Sequence, residues 1–269
     1  MAPITAVQSG WPSSSLSFRA YQCWMTVYRR IWRSSIWSSL LGPLFYLGAM
    51  GLGLGSLVNR HGAASLGGVS YLAFVAPAIL ASGAMNTAMG EASYPVFGSI
   101  KWNKLYIAAQ ASPLRPGDIF RGHLMFMTMR IAMNAALVTV YIWAFGATQS
   151  AWVVLAWPAA TLTGLAFAAP IAAWAMTLQT ENSFAYLFRF VMMPLMLFSG
   201  TFFPLSQLPG WLRLIAYATP LWHGVDLCRS LSLGTATWAG ALGHVAYLGL
   251  WLCGGILFGR WTFTRRLHT

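Results

Sequence analysis

A chain of 269 residues that is 58% hydrophobic and 7% charged, with a mean hydropathy of +0.61, is too apolar for a soluble domain, in which about a quarter of residues are charged. Sixteen Lys and Arg against four acids give a net charge of +12 and a pI near 10.3. These cations sit in short loops between apolar runs, so they mark membrane topology rather than a nucleic-acid face, and no nucleic-acid partner is expected. Fourteen Trp suit the two interfacial belts of a bilayer. Cys23, Cys228 and Cys253 are isolated, which predicts neither a disulfide framework nor a metal site.

In chain order, residues 1–16 are rich in Ser, Pro and Gly and read as a tail, with 17–269 as one transmembrane domain. Leu16–Arg33 mixes Arg19, Arg29, Arg30 and Arg33 with Phe18, Tyr21, Trp24, Val27, Tyr28, Ile31 and Trp32. That mixture predicts an amphipathic helix in the membrane surface; the alternative is the start of the first span. A spanning helix needs about 20 mainly apolar residues. Six such spans are expected: Ile36–Val58, Val69–Glu91, Ile119–Phe145, Ala151–Leu178, Phe184–Phe203 and Trp238–Phe258. The first ends in GLGLG, without the strand–helix context of a dinucleotide site. Gly51/Gly55, and later Gly255/Gly259, instead read as small-xxx-small pairs that let helices approach.

Tyr94–Gly122 is the longest polar interruption and carries both lysines, Lys101 and Lys104. Within it, Ser99–Gln110 reads as a short helix with Trp102, Leu105, Tyr106 and Ala109 along one side. Ser112–Asp118 breaks and restarts the chain, and Asp118 is placed to cap the third span. Between the fifth and sixth spans, Trp211–Ala218 and Leu221–Leu233 are each too short to cross and are punctuated by Pro204, Pro209, Gly210 and Pro220. They predict two short re-entrant helices. Twelve of the 16 basic residues fall on the side of the termini and the Tyr94–Gly122 handle, three fall on the other (Arg60, Arg213, Arg229), and Arg130 lies inside the third span. The positive-inside rule therefore puts both termini and the handle in the cytoplasm and the re-entrant pair on the outer face. The expected fold is an all-α polytopic protein of the cytoplasmic membrane.

Four stretches resemble the ABC type 2 exporter permeases, and within them the NodJ branch of lipo-oligosaccharide exporters: Trp32–Val58, Tyr71–Tyr94, the handle with its Ala111–Leu114 (Ala-Ser-Pro-Leu) and Asp118, and Phe198–Leu231. The last is the most specific. The resemblance implies a pair of six-helix permeases, made of two copies or of two related chains, each binding an ABC ATPase. It implies that the ATPase is contacted by the helix before the first span and by the handle. On this chain those contacts would fall on Arg29, Arg30, Ser99, Lys101, Trp102, Lys104, Leu105, Tyr106 and Arg115. ATP and Mg would be held by the partner, which agrees with the absence here of a GxxxxGK[ST] loop. No cofactor and no catalytic residue is expected in this chain.

Arg130 is an intramembrane charge, and Asn134 shares its helix face. Either they line a substrate path or Arg130 makes an internal ion pair. Glu91 pairs with a handle lysine or lines the cytoplasmic gate. Asp226 and Arg229, three apart, read as a local pair pinning the outer helices, with His223 beside them and a gate role as the alternative. The function this supports is the permease of an ATP-driven exporter of an amphipathic lipid-linked, glycolipid or drug-like substrate. The alternatives are a membrane component of an ATPase-driven assembly complex and, with less in the sequence to support it, an ion-coupled carrier.

Overall fold

The computed structural model describes residues 13–55 and 68–267, all helix and connecting turns with no strand among them. The start of the expected tail, the end of the first span and most of the following loop, including Arg60, lie outside the described residues. Ten helices follow in order: α1 (Ser13–Gly48), α2 (Tyr71–Ala92), α3 (Tyr94–Lys101), α4 (Leu105–Gln110), α5 (Pro116–Ala144), α6 (Val153–Ala175), α7 (Ser183–Phe198), α8 (Gly210–Tyr217), α9 (Pro220–Leu233) and α10 (Trp238–Leu267). Among the described residues, four segments are long and apolar enough to cross a membrane: Tyr71–Lys101, α5, α6 and α10.

Two boundaries change from expectation. The predicted surface helix and first span are one helix, because nothing between Arg33 and Pro43 breaks it; α1 then continues as a π-helical turn, Ala49–Leu54. At ~1.5 Å per residue, its 36 residues reach about 54 Å, well beyond a ~30 Å hydrocarbon core. Leu16, Ala20, Trp24 and Tyr28, spaced by four, form its buried stripe along α5. The two run in the same direction: Ser17 bonds Asp118, Trp24 stacks on His123 at 4.6 Å, and Tyr28 meets Arg130 and Met133. Residues 16–33 therefore begin the first long helix rather than forming a separate surface element. The expected fifth span, Phe184–Phe203, stops at Phe198, where Ser199 and Gly200 (φ +76) turn the chain; α7 contains a π-helical stretch, Leu187–Met192.

α2 is the central helix, buried along nearly its whole length through small residues such as Ala76, Ala81, Ala84 and Ala88, and packed by α5, α6 and α9. Gly164 of α6 sits so close to α2 that a Cβ there would meet Ala84 O at 2.9 Å. The Gly255/Gly259 pair does serve close approach, lying against Pro170 of α6 and Phe120 of α5.

The bundle has two distinguishable ends. At one, the start of α5, the α3–α4 turn, Gln179 and the end of α10 meet: Lys101 Nζ and an Arg266 guanidinium nitrogen both donate to Gln179 Oε1, at 3.4 and 3.2 Å. At the other, Gln149 N–H donates to Ser232 O at 3.0 Å, and Trp152 meets Trp238 edge-on. The α8–α9 hairpin dips inward from this second end. Its tip, Ala218 O, accepts from Tyr247 Oη at 2.6 Å, nine residues and about 14 Å along α10 from Trp238. α9 then climbs back, with Gly224 against Thr163 and Cys228 near Ala156 O, before ending at Gly234 (φ +73). Both predicted short helices are present.

Candidate coupling surface and intramembrane polar sites

The handle is a rigid base with a protruding turn. α2 stops at Ala92 and α3 restarts behind Pro95. The predicted single helix Ser99–Gln110 is interrupted. Trp102 and Asn103 N–H both donate to Gly98 O, at 3.0 and 2.8 Å, and Lys104 takes a left-handed backbone (φ 51) before α4 begins. Lys104 is the one non-glycine with positive φ among the described residues. Such a conformation costs a lysine about 1 kcal/mol and persists only where both flanks are held. They are held: Tyr94, Phe97, Phe184 and Trp174 cluster beneath α3, and Tyr106 of α4 is fully buried between Trp24, Phe263 and His123. Its hydroxyl bonds His123 Nδ1, and burial pushes the phenol above its ordinary range, keeping it neutral. Arg115 N–H donates to Asp118 Oδ2 at 3.3 Å, so Asp118 caps α5 as its position suggested.

This arrangement divides the nine residues named for partner contact. Lys101, Trp102, Lys104 and Arg115 are exposed, as are Arg29 and Arg30 on the open face of α1, and Leu105 is half-buried. Ser99 and Tyr106 are buried and cannot form part of a contact surface. Ser99 Oγ turns back to Pro95 O at 2.7 Å, and Tyr106 is the anchor just described. The reason is the break at Trp102–Lys104, which rotates Tyr106 away from the face a continuous helix would have given it.

Arg130 lies about 21 Å along α5 from Pro116. Its Nε donates to Glu91 Oε1 at 2.9 Å, one NH group donates to Tyr28 Oη at 3.2 Å, and the guanidinium sits 4.9 Å over the Tyr28 ring. Glu91 therefore pairs with Arg130 across two helices, not with a handle lysine. One turn on, Asn134 is buried with its Oδ1 unpartnered and facing Gly83 of α2; Asn86 Oδ1 is likewise unpartnered. The pair and these two amides make one polar patch between α2 and α5.

At the second end, Asp226 does not pair with Arg229. Its Oδ2 lies 3.1 Å from His244 Nε2, while His223 and His244 face each other Nδ1 to Nδ1 at 2.9 Å. The His223 ring stacks on Tyr247 at 3.9 Å. Arg229 turns the other way, into the core, donating to Phe74 O at 3.1 Å and Gly200 O at 2.7 Å with its guanidinium 3.9 Å over the Phe74 ring. Three residues apart on a helix, the two side chains serve different neighbours: Asp226 serves α10 and Arg229 serves α2. Sequence reasoning missed His244 and His123. The available signal was an ionisable ring inside an otherwise apolar span. An apolar cavity of about 410 Å³ lies between α6, α9 and α10 at this end, lined by Leu155, Leu162, Leu231, Trp238 and Val245 among others.

Comparison with known proteins adds a family. The model for the ABC-2 type transporter matches residues 19–233. Nodulation protein J of Rhizobium leguminosarum bv. trifolii is 35% identical over 218 residues, covering 78% of this chain and 81% of that protein. Nodulation protein J of R. leguminosarum bv. viciae is 30% identical over 251 residues, 91% of this chain and 95% of the relative. That of Rhizobium meliloti is 30% identical over 219 residues, 79% and 82% respectively.

Proposed function

The chain belongs to the ABC-2 type transporter family, and from that premise we propose that it is the permease subunit of an ATP-driven exporter of an amphipathic lipid-linked, glycolipid or drug-like substrate. In this reading the bundle crosses the cytoplasmic membrane six times. The two crossings beyond the four long apolar helices are supplied by α1 with its continuation and by α7 with the turn that follows it. The end carrying the handle faces the cytoplasm, in line with the distribution of basic residues, and the α8–α9 hairpin opens on the outer face.

The observation that carries the reading is the protruding turn Lys101–Lys104. Four consecutive exposed residues, two cationic and one a Trp that is 54% exposed, stand on a base fixed by buried aromatics. A rigid aromatic and cationic knob fits a groove on a separate ATPase, which would hold ATP and Mg; Arg115 adds an exposed cation at the same end, while Arg29 and Arg30, next to Tyr28 and so level with Arg130, stand apart from it. Force on the knob has a path inward. Phe97 packs on Phe184, so the base of the handle leans directly on α7. α7 presents Tyr186, Phe190, Met193 and Leu197 outward, an apolar face suited to a second permease, either another copy or a related chain. The patch of Arg130, Glu91, Asn86 and Asn134 offers donors and acceptors for a polar headgroup passing between α2 and α5.

The test is co-expression with the ATPase encoded beside the gene, with co-purification and ATP turnover measured for wild type and for a Lys101→Glu, Trp102→Ala, Lys104→Glu variant. Capture by wild type and loss by the variant, with membrane insertion unchanged, supports the coupling role. Equal capture by both, or none by either, removes it. ATPase capture without stimulation by any amphipathic lipid, glycolipid or drug points to an assembly component, and response to an ion gradient without an ATPase points to a carrier.

A further inference from the structure

The transport reading leaves the His223, His244 and Asp226 cluster without a task. It joins the re-entrant hairpin to α10, and it is an ionisable group inside a membrane bundle, where charge is costly and kept for a reason. His244 is six residues, about 9 Å, along α10 from Trp238. The hydrogen bonding is unusual: two rings present the same nitrogen to each other, Nδ1 to Nδ1, at 2.9 Å. Only one of those nitrogens can carry a hydrogen if the contact is to be a bond. The other nitrogen of His244, Nε2, faces the half-exposed carboxylate of Asp226 at 3.1 Å.

Proton accounting follows from this geometry. With both rings neutral, His244 holds its hydrogen on Nε2 toward Asp226, and His223 donates its Nδ1–H to His244. One added proton is accommodated: His244 becomes an imidazolium that donates to Asp226 through Nε2 and to His223 through Nδ1. A second added proton puts hydrogens on both facing Nδ1 atoms, so the bond is lost and two like charges stand within 3 Å. Groups around the pair bear on it in different ways. Asp226, on α9, favours the first proton, and Tyr247 of α10 lies under the His223 ring. Arg229, on α9, has its charge directed to Phe74 and Gly200 carbonyls. On α8, the Tyr217 ring packs on Trp222.

We propose that His223 and His244 form a single-proton binding site that latches the re-entrant hairpin to α10, closed with at most one added proton and released by a second. The site makes the seating of the hairpin depend on the acidity of the compartment it faces. The closed form is favoured at higher pH and is lost as pH falls far enough to add the second proton.

The experiment uses the full chain in nanodiscs with ring-15N-labelled histidine. Imidazole signals are followed from pH 8.5 to 4.5 together with the distance between spin labels at Leu214→Cys and Leu242→Cys, two exposed sites on α8 and α10, in a Cys23→Ser, Cys253→Ser background. Two of the five histidines should titrate as a coupled pair in two separated steps, and the label distance should lengthen only across the second. Asp226→Asn should move the first step about tenfold in proton concentration toward acid, and His244→Gln should leave His223 with a single step and a label distance that ignores it. If His244→Gln does not fold, His223→Gln makes the same comparison. Independent single-site curves in wild type would overturn the shared site. An unchanged label distance through the second step would overturn the latch. Stoichiometric Zn²⁺ at pH 7.5 that locks both rings would show a metal site instead.

Discussion

The two ends of the bundle use cationic side chains in opposite ways. At the handle end Lys101, Lys104 and Arg115 are exposed, and the structure invests its buried contacts in the backbone beneath them. At the hairpin end the cations are turned inward. Arg229 serves two backbone carbonyls and the face of Phe74, and Arg213 donates to the carbonyls of Leu205, Ser206 and Leu208. An exposed cation contributes little to stability and stays open to a partner even where, like Lys101 with Gln179, it makes a surface hydrogen bond, whereas a cation that satisfies buried carbonyls is part of the fold. Arginine supplies this second role because its planar fork serves several acceptors at once. Charge at the handle is therefore expected to affect assembly, and charge at the hairpin to affect folding.

The sharpest test lies between the two ends. Arg130 and Glu91 are a largely buried pair, with side-chain exposures of 13% and 19%. Arg130→Leu or Glu91→Leu alone should destabilise the detergent-solubilised protein by about 3–5 kcal/mol, because each leaves an uncompensated charge. The double variant should lose less than either single, and additive losses in thermal unfolding would show that the pair is not coupled. Arg229→Leu comes next. Gly200 O loses its donor and Phe74 O loses the second of its two, so a loss of about 1–3 kcal/mol is expected. The protein that remains folded should still capture an ATPase. Arg229→Leu with native stability would erase the contrast between the ends. Equal capture of an ATPase by wild type and by the triple handle variant would erase it from the other side. That variant should cost at most about 0.5 kcal/mol of stability, since its three sites are exposed.

Much of this architecture was legible because membranes impose simple rules. Apolar length located α2, α5, α6 and α10, proline punctuation located α8 and α9, and the cap at Asp118 followed from one carboxylate ahead of an apolar run. Pairing was less legible. Asp226 and Arg229 have the spacing of a local pair, yet each finds a better partner on another helix, and that choice depends on how α9 is rotated between α2 and α10. Glu91 finds Arg130 for the same reason, 39 residues away in the chain. The junction in α1 was misjudged because the mixture of arginines and aromatics in residues 16–33 suits a surface helix, while nothing between it and the first apolar run stops the helix from continuing, as the alternative of a first-span start allowed. The buried Tyr106 was misassigned because helical periodicity was carried through Trp102–Lys104, where one left-handed residue resets the phase.

That residue allows the finest test of how the handle is built. Lys104 adopts φ 51 without the freedom of glycine, and the anchors on either side, Phe97 on Phe184 and Tyr106 beside His123, hold it there. Lys104→Gly removes the steric penalty of the left-handed turn, worth about 1 kcal/mol, but gives back part of it by widening the unfolded ensemble. The expected net is a gain of a few tenths of a kcal/mol in unfolding free energy, with the exposed charge lost. If the turn only has to present a shape, Lys104→Gly should capture an ATPase as well as wild type. If the charge is what is read, capture should weaken although the protein is slightly more stable, and Lys104→Arg, which keeps the charge and the strain, should restore it. Stability and capture moving in opposite directions at a single residue is the result expected of a surface whose backbone is held by the fold and whose side chain is free for a partner.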